Sequence, residues 1–224
     1  MVAVVVLGGL FMLARTLSTA PPPAVIIPVL SSASPDLEAI TRMIGDIELP
    51  AAGQRPQGLV AVDSLLTVRD WPAALERLAR MLKPAHGATA AVLHEYVGFC
   101  HYHSGSLDRA LHSFRQALAA DSGHAANRQT RLGFAIGYLF QSRGFADSAL
   151  ESYSAARANL AATVLDDVDP LLLALYNNLA LAHEVTGDTA GALAFYASAA
   201  ELVDTTADAP SSRTVRDNLR RLAR

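Results

Sequence analysis

Cys100, His101 and His103, with His94 and His112 nearby, are the side chains whose types could ligate a metal. On one helix, Cys100 and His103 share a face at i,i+3, whereas His101 points about 100° away from Cys100. No Cys-x-x-Cys-His run stands beside them for covalent haem attachment. They read as ordinary helix residues, and no metal and no cofactor is expected. Asp166, Asp167 and Asp169 crowd one stretch and could hold a cation, but the calcium-loop order of alternating oxygen ligands, a glycine and a late glutamate is absent. Helix capping accounts for them better. No phosphate-cradling glycine loop or nucleophile elbow occurs, and no Ser, His and Asp stand in a catalytic context. A non-catalytic protein is the expectation.

The last helix is basic through Arg213, Arg216, Arg220, Arg221 and Arg224. One reading is a solvated face that complements the helix C-terminus. The other is a contact to anionic lipid headgroups or an acidic partner. The chain as a whole carries a net charge of -3 and a pI near 6.1, so no global field draws nucleic acid. Its single cysteine permits no internal disulfide. Hydrophobic residues make up 51% and mean hydropathy is +0.25, which asks for a membrane segment, an alanine-rich helical core, or both.

The elements that must position these side chains come as repeats. FCHYHSGSLDRALHSFRQAL, LFQSRGFADSALESYSAARA and LAHEVTGDTAGALAFYASAA align with a turn glycine (Gly105, Gly144, Gly187) and an alanine five residues on (Ala110, Ala149, Ala192). An aromatic follows at Phe114, Tyr153 and Tyr196, then an alanine at Ala117, Ala156 and Ala199. A small residue precedes each glycine by seven (Gly98, Gly137, Ala180). The small residues let two helices approach closely, and the glycine supplies the φ > 0 position that ends the first helix. Phe114 and its equivalents are expected to fill the gap toward the next hairpin, because one helix pair cannot bury its own apolar face.

These offsets resemble the tetratricopeptide repeat family, whose unit is about 34 residues. A degenerate fourth copy, LLTVRDWPAALERLARML, puts Ala74 and Leu78 in register with Trp71 before the second helix. It departs from the pattern at Arg69, where the glycine should stand, and at Met81. Equivalent alanines are 36 (74 to 110), 39 (110 to 149) and 43 (149 to 192) residues apart, so the helices or the loops at Ser122–Asn127 and Ala161–Asp169 are longer than the family unit. The resemblance covers about residues 55–206 and implies an all-α solenoid of antiparallel helix pairs. It further implies that the first helix of each pair lines a concave groove. That places Glu95, Phe99 and Tyr102, then Arg131, Phe134, Tyr138 and Gln141, then Asn177, Leu181 and Glu184 along it. Such a face suits an apolar or helical peptide with some hydrogen bonding. The basic carboxylate clamp of chaperone-binding relatives is not matched, because Glu95 and Phe99 stand where lysine and asparagine would.

Outside the repeats, Met1–Ala14 is uninterrupted apolar sequence, and extension to Ala20 spans a bilayer if Arg15 snorkels. Three readings compete: a cleavable signal peptide lacking its basic start, a buried soluble helix, and a single-pass anchor over residues 1–20, which is preferred. Arg15 weakly favours a cytoplasmic C-terminal side, but an anchor feeding a stalk and a repeat domain suits an envelope protein whose repeats face the periplasm. Residues 21–54 read as a proline-rich linker whose AVIIPVL core lies along a surface, with a short helix opened by Ser34, Pro35 and Asp36. Asp169 and Pro170 open the helix of the last repeat. Residues 207–224 read as a C-terminal capping helix, with Val215, Leu219 and Leu222 on one face.

The expected function is a membrane-anchored scaffold or accessory subunit. Its partners would be protein subunits of a membrane complex (bioenergetic, whether respiratory or photosynthetic, secretion, or envelope-building) and the bilayer itself, without nucleic acid. The alternative is a transient adaptor or assembly factor that carries a peptide or subunit in its groove.

Overall fold

The computed structural model describes Arg42, Met43, Ile47, Leu49 and residues 58–121, 126–160, 170–203 and 210–224. Among these residues the secondary structure is helical, without strands. In chain order the helices are α1 Val60–Thr67, α2 Trp71–Leu82, α3 Gly87–His103, α4 Leu107–Ala120, α5 Ala126–Ser142, α6 Ala146–Leu160, α7 Pro170–Val185, α8 Thr189–Glu201 and α9 Pro210–Leu222. Consecutive helices pack as the pairs α1/α2, α3/α4, α5/α6 and α7/α8, each pair also meeting the next, and α9 lies on α8.

The two helices of a pair bury different amounts of surface. In α4 the buried apolar residues Ala110, Leu111, Phe114 and Ala117 recur at three- and four-residue spacing, giving one stripe. In α5 the buried set runs unbroken from Leu132 to Gly137 and resumes at Leu139, so this helix has neighbours on several sides. Short connections between α1 and α2, α3 and α4, α5 and α6, and α7 and α8 follow from one turn used four times. Gly105, Gly144 and Gly187 have φ of +77°, +81° and +87°. After α3, the Ser106 N–H donates to His101 O at 2.8 Å and the Gly105 N–H to Tyr102 O at 2.9 Å, the paired bonds that close a helix through a left-handed residue. The same two bonds recur as Phe145 to Phe140 and Gly144 to Gln141, and as Asp188 to His183 and Gly187 to Glu184.

Arg69, the expected break in this pattern, makes the same turn. Its φ is +59°, with Asp70 N–H donating to Leu65 O and Arg69 N–H to Leu66 O. A left-handed backbone costs an L-residue about 1–2 kcal/mol, and the extra chain entropy of glycine returns about 0.5–1 kcal/mol of that. Arg69→Gly is therefore expected to raise stability by about 0.5–1 kcal/mol, read as a higher urea midpoint. A lowered midpoint would contradict this account of the turn. Two of the following helices, α2 and α8, start on aspartate caps: Asp70 accepts from the Ala73 N–H at 3.1 Å and Asp188 from the Gly191 N–H at 2.9 Å.

Within each pair the repeat residues form a knob against a gap. Ala110, Ala149 and Ala192 are fully buried, as are Tyr153 and Tyr196, and Phe114 is nearly so. The expectation that Phe114 reaches toward the following hairpin is corrected in one respect: its ring lies against Gly98 of its own hairpin. A Cβ placed on Gly98 would stand 2.5 Å from the Phe114 ring, and one on Gly137 would stand 2.6 Å from the Tyr153 ring. The aromatic lies in the space that the missing side chain leaves open.

Successive hairpins are joined by other contacts. Arg115 lies over the Phe140 ring at 5.6 Å, Arg157 over Phe195 at 5.1 Å, and Arg143 pairs with Asp108. The lengthening steps between repeats coincide with longer intervals between hairpins: 83–86, then 121–125, then 161–169. At the end of the chain, Leu219 and Leu222 of α9 pack against Ala180, Ala192 and Tyr196, and Val215 is fully buried. Among the described residues no helix is long and apolar enough to cross a membrane. The anchor at Met1–Ala20, residues 21–41 of the linker with the start of the helix opened by Ser34, and the acidic stretch Asp166–Asp169 lie outside the described residues.

Candidate partner-binding face

The first helices α3, α5 and α7 carry the residues assigned to the groove, and the structure divides them into two groups. Phe99, Tyr102, Arg131, Tyr138 and Glu184 are half-buried. Glu95, Phe134, Gln141, Asn177 and Leu181 are buried, with Leu181 and Asn177 at 0% exposure. The cause is the packing of the first helices on several sides, which leaves a narrow open stripe. The buried polar members have partners within the stack. Glu95 accepts from Arg131 Nη2 at 2.8 Å and Nε at 3.1 Å, joining α3 to α5. Burial pushes the Glu95 carboxyl above its ordinary value, and Arg131 counters that shift. Tyr153 Oη–H donates to Gln141 Oε1 at 2.9 Å.

The open stripe is a run of rings in which Trp71, Phe99, Tyr102 and Tyr138 are half-buried and His103 is exposed, with buried Phe134 at its far end. Trp71 stacks on His103 at 5.4 Å with planes 16° apart, and Phe99 meets His103 edge-on at 4.2 Å. Tyr102 follows at 4.9 Å from His103, then Tyr138 at 6.2 Å from Tyr102, then Phe134 at 6.0 Å from Tyr138. Apart from the closer Phe99–His103 pair, these spacings fall in the range that aromatic quadrupoles favour, about 4.5–7 Å. At the Trp71 end the run borders a cleft of about 500 Å³ lined by Leu49, Asp63, Leu66, Thr67, Arg69, Trp71, Phe99 and His103. Trp71 and His103 were not among the residues assigned to this face from sequence. His103 follows Phe99 by four and shares its helix face, a signal that was legible. Trp71 enters through the positive-φ turn at Arg69, which was not.

Apart from His103, the residues with metal-ligating types go elsewhere. Cys100 is fully buried in the core with Leu78, Val92, Leu93 and Tyr96, and burial pushes its thiol up to about 12, so it stays protonated. Burial, with the neighbouring His112, keeps the His94 imidazole below its ordinary value, and burial with Arg109 does the same for His101. Among the described residues no three His, Cys, Asp or Glu side chains gather as a metal set would.

Glu184 is the other polar focus. It accepts from Arg42 Nη1 at 2.8 Å on Oε1, and from Tyr196 Oη–H at 3.2 Å and Arg221 on Oε2. Burial raises its pKa, but the hydrogen bonds and charges of Arg221 and Arg42 outweigh that and hold the carboxyl below its ordinary value. Of the five arginines assigned to an anionic contact, Arg221 therefore points to a carboxylate of its own chain. Arg220 reaches only exposed Asp217 at 3.7 Å, a pair worth little in water. Arg213 and Arg224 are exposed and Arg216 is half-buried.

No family model matches the chain, and no curated protein matches it. The solved structures that resemble it include a protein assigned as a kinesin light chain, with nearly identical TPR-like repeats, from Podospora anserina. The two share 18% sequence identity and superpose with a TM-score of 0.56 over 72% of this chain and 82% of that one. At that identity the likeness concerns the fold: the chain has a TPR-like helical-repeat fold.

Proposed function

We propose that this chain is a non-catalytic helical-repeat scaffold that binds a protein partner on the face carrying Trp71, Phe99, His103, Tyr102 and Tyr138. The observation that carries this reading is the run of partly exposed rings ending in an open cleft. Aromatic side chains left partly exposed in a row supply large contact area at low entropic cost, which is what association surfaces use. Attachment to a membrane through Met1–Ala20, with the repeats on the periplasmic side and a place as accessory subunit of a membrane-associated complex, completes the reading. Its support is the composition of that segment.

The test is a photo-crosslinking amino acid placed in the full chain at Phe99, and in a second version at exposed Gln116 of α4, followed by gentle detergent extraction. A discrete crosslinked protein from position 99 and none from 116 is the expected result. Equal yield from both positions, or none from either, contradicts the assignment of the face. Removing Met1–Ala20 in the same system is expected to leave a helical protein that no longer sediments with membranes. Persistence in the membrane fraction would count against the anchor.

A further inference from the structure

Arg42 stands 142 positions before Glu184, yet its guanidinium donates to Glu184 Oε1 at 2.8 Å, with both side chains 16% exposed. The main chain of Arg42 is held as well. Its carbonyl oxygen accepts from Asn177 Nδ2 at 2.9 Å and from Asn218 Nδ2 at 3.3 Å. Asn218 Nδ2 also donates to Asn177 Oδ1 at 2.9 Å, fixing the two amides relative to each other. Both asparagines are buried, at 0% and 3% exposure. A few residues on, Ile47 is buried and Leu49 packs against the core of the first hairpin. Arg42 thus touches α7 and α9, and Leu49 lines the α1–α3 cleft.

Two buried amides converging on one main-chain oxygen are costly without an acceptor, since an unpaired buried donor forfeits about 1–3 kcal/mol. The chemistry they select is a peptide carbonyl, whatever side chain it belongs to. Glu184 adds selection by charge: Arg221 and Tyr196 occupy Oε2, and Oε1 faces the guanidinium. Helix α9 supplies Asn218 and Arg221, so it contributes to this site besides covering the last hairpin. We propose that the α7–α9 end of the inner face is a subsite for a peptide segment carrying an arginine, that Arg42 fills it in cis, and that a partner of this chemistry enters by displacing the chain's own segment. The inference rests on the reading of the inner face as the partner surface. An occupant tethered by its own chain acts at an effective concentration of roughly millimolar, and a site occupied in that way weakens an outside ligand in proportion to the fraction closed.

The test uses the full chain and a fluorescent synthetic peptide of residues 38–53. Arg42→Glu places a repelled carboxylate opposite Glu184 and is expected to bind the free peptide at least tenfold more tightly than the unsubstituted chain does. Arg42→Glu combined with Glu184→Gln is expected to lose that gain, and so is a peptide carrying glutamate in place of its arginine. No gain in Arg42→Glu, measured on protein of unchanged helicity, overturns the proposal. Should that variant misfold, hydrogen exchange on the unsubstituted chain decides instead. Saturating free peptide is expected to accelerate exchange of the amides of residues 42–49 at least tenfold, and unchanged exchange overturns the proposal. These outcomes are separable from crosslinking at Phe99, which reads the partner surface whether or not Arg42 competes for it.

Discussion

Tyr153→Ala is expected to lower stability by about 3–5 kcal/mol, the range for emptying a fully buried aromatic site. Tyr153 has 0% exposure. Its ring lies where a Cβ on Gly137 would be, 5.8 Å from the Phe134 ring, and its hydroxyl donates to buried Gln141 at 2.9 Å. Truncation opens a cavity at the centre of the α5/α6 pair and leaves the Gln141 oxygen without that donor. Tyr153→Phe separates the two effects. It keeps the ring and removes the hydroxyl, so about 1–3 kcal/mol should be lost, the cost of an unpaired buried polar group. Urea unfolding of both variants, with m-values compared to confirm a shared unfolded state, measures the difference. Equal losses in the two variants would show that ring packing against Gly137 contributes nothing, contrary to the geometry.

Gly98→Ala is expected to lower stability by about 1–3 kcal/mol through overpacking. The added methyl would meet three ring carbons of Phe114 at 2.5, 2.6 and 2.9 Å, and that ring is 1% exposed and has little room to move. The last repeat carries Ala180 at the equivalent place, fully buried beside Tyr196. Combining Gly98→Ala with Phe114→Leu should relieve the clash, so the double variant is more stable than the sum of the single losses, by about 0.5–3 kcal/mol for residues in direct contact. Additive losses would mean that the small residue and the aromatic are not a coupled pair.

The repeat was legible because its physics is local. A glycine at a left-handed turn, an alanine at a close helix approach and an aromatic against a gap each need a particular residue type, and Gly105, Ala110 and Phe114 carry that need in plain view. Arg69 shows the limit. The backbone there adopts a glycine-like φ without a glycine, because the surrounding hydrogen bonds and the Asp70 cap hold it. Register along a helix also could not tell which groove residues stay open. Phe134 and Tyr138 are one turn apart on α5, yet the first is 2% exposed and the second half-buried, a difference set by neighbouring helices. The Arg42 contacts with Glu184, Asn177 and Asn218 join segments more than a hundred residues apart, and no periodicity encodes them. Trp71 belongs to the ring run for a similar reason: the turn at Arg69 carries it there.

On the proposed function, the half-buried rings near the α1–α3 cleft are where a partner is held. The most direct test of that claim is the Trp71→Ala, Phe99→Ala double variant of the full chain, assayed for association with the protein crosslinked at position 99. Loss of two central aromatics from an interface is worth about 2 kcal/mol or more each, so association should weaken by roughly a thousandfold while the far-UV circular dichroism stays helical. Association unchanged in a folded double variant would contradict the claim.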